Sequence, residues 1–200
     1  MNPFDIVHEF EKRVADFFGA PYAVATDCCT HAVELCLRYK KQQKICSPKH
    51  TYLSIPMLAY KLNIELEWDE SYWTAMYEVN DSLTPMIFDA ATLWRKDSYI
   101  PDSYMCLSFQ FKKHLSLGRG GMILLQNKDE ACLLRSMAYD GRVSGVAWPE
   151  QDISIMGYHY YMTPETAQLG LDKLPDAMKR KPKTWSWEDY PDLTKMRIFQ

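Results

Sequence analysis

No stretch of this chain is apolar for the roughly twenty residues that a bilayer span requires. The opening Met1-Asn2-Pro3-Phe4-Asp5 lacks both the basic start and the apolar centre of a secretory signal. A cytoplasmic location is therefore expected, with no membrane partner. An excess of positive charge is also missing: 23 lysines and arginines against 26 acidic residues leave a net charge of −3. Small basic clusters occur at Lys40-Lys41 and from Lys179 to Lys183, but a nucleic-acid footprint needs more than these. Cysteines in CxxC spacing are absent too. Of the six, Cys28 and Cys29 are adjacent, while Cys36, Cys46, Cys106 and Cys132 lie in apolar periodic segments. That pattern predicts reduced, mostly buried thiols and no metal site. Internal repeats and low-complexity tracts are absent as well.

What remains is a composition suited to one sizeable core: 200 residues, 47% apolar and 14% aromatic. Asn2-Pro3 reads as a cap and first-turn proline. Phe4, Val7, Phe10, Val14 and Phe17 then recur at helical spacing until Gly19. Tyr22 to Thr26 reads as a buried strand and Thr30 to Gln42 as a helix. A strand at Lys44 to Cys46 and a helix from about Thr51 to Leu62 follow. Further strands are expected at Ile64–Trp68, Pro85–Asp89, Tyr104–Phe109 and Met122–Leu125, and helices at about Asp129–Tyr139 and Pro164–Met178. Strands alternating with helices predict an α/β fold, a largely parallel sheet covered on both faces. Residues 1–180 form the expected domain. Residues 181–200, basic and then rich in tryptophan and proline, read as an arm whose aromatics need a surface.

In parallel sheets ligands bind beyond the carboxyl ends of strands. Three polar features lie at such ends: Asp27-Cys28-Cys29-Thr30, Asp89, and Ser108 with the pair Lys112-Lys113 before Gly118, Gly120 and Gly121. A lysine with a lowered pKa can form a Schiff base with a carbonyl compound. A basic pair near glycines is more often a solvated loop.

Taken in order, these strand ends resemble the DegT/StrS family of pyridoxal-phosphate sugar aminotransferases. Phe10-Glu11 with Ala15 and Phe18-Gly19 is similar to that family's FExxxAxxxG opening, and Thr30-His31-Ala32-Val33 to its GTxAL turn. Pro48 to Tyr52 resembles P-x-x-T-aromatic, and Phe88-Asp89-Ala90-Ala91-Thr92 resembles EDxAQ. Ser108 to Gly121 resembles SFxxxKxxxxGxGG, with Gln110-Phe111 for the usual HP and Arg119 for an acidic residue. Gly157 to Leu174 resembles GYNYRMTxxxAAxGLxQL, with His159 in place of asparagine and Tyr161 in place of arginine.

The resemblance implies an aspartate-aminotransferase-like (fold type I) large domain of three layers, a mostly parallel sheet flanked by helices. It also implies a short member lacking most of the small C-terminal domain. It selects Lys113 as the Schiff-base lysine and leaves Lys112 as a solvated neighbour. Cys29, Thr30 and Ser108 would contact the cofactor phosphate, Cys29 standing where the family has glycine. Tyr52 would stack on the pyridine ring and Asp89 would pair with its nitrogen. Thr92 would take a cofactor contact usually made by glutamine, and His159 would reach the partner subunit's phosphate. The implied activity is transamination of a keto sugar nucleotide by a donor such as glutamate, in a homodimer. The departures at Cys29, His159 and Tyr161, with the short length, leave a non-catalytic relative as the alternative. A dehydratase, which in this family has histidine for the lysine, is disfavoured by Lys113 despite His114.

Overall fold

The computed structural model describes residues 2–80 and 85–200. Met1 and part of the short passage between Trp68 and Pro85 lie outside the described residues. Helix α1 (Asp5–Phe18) buries Val7, Phe10, Val14 and Phe18, a three-and-four spacing that returns to one face each turn. The cap lies two residues past the expected Asn2: Phe4 is the capping residue, and Asn2 Oδ1 accepts from the Phe4 amide at 3.1 Å. Then come β1 (Tyr22–Thr26), α2 (Cys29–Tyr39), β2 (Lys44–Pro48), α3 (Ser54–Leu62), β3 (Glu65–Asp69) and β4 (Tyr77–Glu78). β5 (Met86–Asp89), β6 (Ser103–Ser108), β7 (Gly121–Leu125), α4 (Lys128–Ala138) and α5 (Pro164–Lys179) follow. No helix among the described residues is long and apolar enough to cross a membrane.

The principal sheet has the order β1-β7-β6-β5-β4. Its strands alternate faces, as a period of two requires. Met105, Leu107, Met122 and Leu124 pack with α1 and α5, while Tyr104, Cys106, Ile123 and Leu125 pack with α2, α3 and α4. The sheet is therefore the middle of three layers.

Its direction departs from the sequence expectation. Only β5 and β6 are parallel in this sheet, whereas β1–β7, β7–β6 and β4–β5 are antiparallel. The connections explain why. Residues 109–120 between β6 and β7 contain no helix, and without a crossover the chain returns beside the strand it left. The β-α-β units of the N-terminal half also do not all join one sheet. β2 and β3 form a separate parallel pair across α3, tied to the principal sheet where the Cys46 amide donates to Val79 O at 3.1 Å.

The C-terminal arm lies against the domain. The Ala75 amide donates to Trp185 O at 2.9 Å, Trp187 to Trp73 O at 3.2 Å, and Leu193 to Lys49 O at 2.8 Å. Leu193 is fully buried, and the Trp73 and Tyr190 ring centroids are 5.5 Å apart. The aromatics of the arm thus find their surface on residues 49–75 of the same chain.

Candidate active site

β7 runs opposite to both of its neighbours, so β1, β6 and the β5 parallel to β6 all point the same way. Their carboxyl ends meet at one edge, where a cavity of about 390 Å³ opens. Cys29, Thr30, Tyr52, Asp89, Thr92, Ser108 and Lys113 all line it.

The turn into α2 is seated by a glycine. A Cβ on Gly121 would lie 2.4 Å from the Cys28 carbonyl carbon and 2.5 Å from the Cys29 amide nitrogen. Only a residue without a side chain lets β7 start this close to the helix. Cys28, the N-cap, makes no side-chain capping bond, so the first amides of α2 are left to bind an anion. Thr30 Oγ1 donates to Ser54 Oγ at 2.8 Å. Beside this turn Arg119 Nη2 pairs with Asp27 Oδ2 at 2.7 Å, and His31 Nδ1 lies 2.6 Å from Asp27 Oδ1. Burial alone would lower the His31 pKa, but hydrogen bonds to Asp27 and Cys28 outweigh it and raise the value to about 9. Asp27, Cys28 and His31 also place possible metal-ligand atoms within 4.8 Å of one another. Here both Asp27 oxygens are already engaged by the two cations.

Asp89 is 6% exposed at the end of β5. Tyr77 donates its hydroxyl to Asp89 Oδ2 at 2.6 Å, and the Ala91 amide donates to Oδ1 at 2.9 Å. Tyr77 is itself hydrogen-bonded to Thr51 Oγ1. Burial raises the Asp89 pKa, opposed by Tyr77, Ala91 and the charge of Lys113. Cys29 Sγ lies 3.3 Å from Cys106 O and 4.0 Å from Asp89 Oδ1, and burial pushes its pKa well up, so it stays a neutral thiol.

Lys113 sits in the loop after β6. The loop is closed by backbone bonds from Phe109 to Gly120 O and from Phe111 to Gly118 O, and pinned by buried Leu115 and Leu117. This holds Lys113 half-buried and leaves Lys112 exposed. Burial lowers the Lys113 pKa, opposed by Asp89 and Cys29 and assisted by Lys112.

Two expected residues engage differently. Thr92 lines the cavity but donates its hydroxyl to Ala75 O at 2.7 Å. His159 does not join the cavity of its own chain: it is exposed, with Nδ1 3.0 Å from Asp140 Oδ2. This segment is held by bridges Tyr139–His159 and Thr26–Tyr161, and its Tyr160 stacks on His31 with centroids 3.6 Å apart. Sequence reasoning missed Tyr77, which carried no distinguishing signal among 13 tyrosines. It also missed Trp185, Asp189 and Tyr190, which line the cavity from the arm.

The sequence matches the DegT/DnrJ/EryC1/StrS aminotransferase family over residues 3–65 and 101–188. The chain belongs to this family. Asp89 and Tyr77 fall in the interval that the match skips, so their place beside Lys113 rests on geometry. No curated protein matches the sequence. Among solved structures it is similar to AtS13 from Actinomadura melliaura, with a TM-score of 0.74 and 19% identity over 86% of this chain and 60% of that one. It is also similar to the sugar aminotransferase CalS13 from Micromonospora echinospora, with a TM-score of 0.68 and 15% identity over 86% and 60%. A third match is Helicobacter pylori PseC, an aminotransferase involved in pseudoaminic acid biosynthesis, with a TM-score of 0.68 and 11% identity over 84% and 57%. These likenesses establish the fold, that of the fold type I sugar aminotransferases. The chain spans about 60% of the length of these structures.

Proposed function

We propose that the chain binds pyridoxal phosphate in this cavity through Lys113 and transfers an amino group from an amino acid such as glutamate to a keto sugar nucleotide. The observation that carries the reading is one cavity holding both a half-buried lysine and a buried carboxylate, Lys113 and Asp89. The donor set suits the cofactor. Uncapped α2 amides, Thr30, Ser108 and the nearby Arg119 would take its phosphate, Asp89 its ring nitrogen and Tyr52 its ring face. When bound, the cofactor supplies an electron sink for breaking a carbon–hydrogen bond next to nitrogen.

Lys113 Nζ is the group that would hold the cofactor and then carry a proton between the donor's α carbon and the cofactor. Burial lowers its pKa, the direction that favours an amine acting as a base. Asp89, kept aligned by Tyr77 and Ala91, would hold a proton on the ring nitrogen. We take the working unit to be a homodimer, which gel filtration checks.

A second reading, a relative that binds the cofactor without turnover, draws on buried Cys29 standing where the family has glycine and on His159 being exposed and engaged with Asp140. One titration separates the two. Added pyridoxal phosphate should give an absorbance band near the visible edge that borohydride fixes on Lys113. Glutamate should then bleach the band. If Lys113→Ala keeps the band, the site assignment fails; a band that glutamate never bleaches favours the non-catalytic relative.

A further inference from the structure

One wall of the cavity is built by the arm. Trp185, Asp189 and Tyr190 line it opposite the sheet residues. Lys113 Nζ lies 5.4 Å from the Trp185 ring centroid, and Lys183 Nζ lies 3.8 Å from the same centroid. The segment carrying this ring is fixed at several points. Trp185 O accepts from Ala75, Ser186 forms a bridge with Thr74, and Asp189 Oδ2 accepts from the Ser186 amide at 3.0 Å. Lys183 Nζ closes the segment on Asp189 Oδ1 at 2.7 Å. Residues 181–184, which lead into it and include Lys183, have no regular structure and are largely exposed. The contacts that hold the ring run to residues 73–75 and within the segment itself, not to the strands of the principal sheet.

We propose that Lys183–Tyr190 is a strap over the reactive amine and that Trp185 is its positioning residue, screening Lys113 from water when seated and admitting a carbonyl compound when lifted. The inference rests on the reading of Lys113 as the reactive amine. A ring against an amine removes water from one side, which disfavours the ammonium form, while the cation–π contact favours it. Burial is the larger influence on Lys113, whose proton affinity is lowered. Asp89 and Cys29 from the sheet and α2 and Lys112 from the loop act on it electrostatically, and Tyr52, Tyr77, Arg119, Asp189 and Tyr190 are the other titratable groups that line its cavity. Replacing Trp185 leaves all of them in place, so a change in Lys113 chemistry reads the ring itself.

The test needs no cofactor. Cyanate carbamoylates neutral amines, and peptide mass spectrometry gives the rate at Lys113 between pH 6 and 10, with Lys112 as the internal control. In Trp185→Ala the limiting rate at Lys113 should rise about fivefold or more as protection is lost, and the pH midpoint should move upward. Trp185→Phe should restore most of both. Lys112 should not change. A Trp185→Ala profile identical to wild type at Lys113 overturns the strap. If that variant does not fold by circular dichroism, Lys183→Ala decides instead, because an exposed side chain is removed: its rate at Lys113 must rise, and a wild-type rate overturns the proposal. Borohydride trapping on wild-type protein tests the cofactor reading separately. No trapping with an altered cyanate profile leaves the strap standing and removes the reading; trapping with an unaltered profile does the reverse.

Discussion

Asp89 and His31 hold charge in opposite ways, and their pH dependence runs in opposite directions. Burial raises the Asp89 pKa above its ordinary 3.8, so the fold prefers the protonated acid. Its contribution to stability is fully present below about pH 4 and is lost as pH rises through the folded value. At neutral pH the carboxylate therefore weakens the cofactor-free fold. Asp89→Asn should raise stability in urea at pH 7.5 by about 1 kcal/mol. Tyr77 can accept from the new amide and donate to Thr51, so the hydrogen-bond chain survives the change. An Asn variant less stable than wild type would contradict this account. His31 is a base whose pKa is raised from 6.5 to about 9, so its contribution is fully present below 6.5 and lost as pH rises through about 9. A gap of that size corresponds to about 3 kcal/mol at most. Urea midpoints of wild type should fall between pH 6.5 and 9.5, and His31→Gln should flatten that fall.

At the scale of elements, packing of α1 on α5 depends on Gly170. A Cβ there would meet the Phe10 ring at 2.6 Å, and Phe10 is fully buried. Gly170→Ala should cost about 1–3 kcal/mol in a urea melt, and Phe10→Leu in the same chain should recover part of it. The elements themselves were legible because each carries its own periodicity: Tyr22–Thr26 and the α1 face are written in consecutive residues. Sheet direction was not, because it depends on which strands become neighbours, and β1 pairs with β7 a hundred residues away. β4 has two residues, too few for any period. The site followed the same division. Asp89 and Ser108 end their strands and Lys113 follows in the loop after β6, all inside recognisable spacings. Tyr77 reaches Asp89 only because β4 folds back on β5, and Trp185 reaches Lys113 only because the arm returns, so neither had a local signature.

For the molecule as a whole, the question is whether the arm belongs to the cooperative unit. The cavity is walled on one side by Trp185, Asp189 and Tyr190 of the arm. Four of the six tryptophans, Trp68, Trp73, Trp185 and Trp187, lie in the arm or in the segment it covers. Trp73 is buried and donates its indole N–H to His50 O at 2.7 Å. Tryptophan fluorescence therefore reports chiefly on this contact, while far-ultraviolet circular dichroism reports on the helices. Both signals should give one coincident transition in urea, because fully buried Leu193 ties the arm to Lys49 at the end of β2. Leu193→Ala should lower the shared midpoint by about 2–4 kcal/mol without separating the signals. If fluorescence instead melts first in wild type, the arm is a separate unit, and the cavity of the folded domain is open on the side of Lys113.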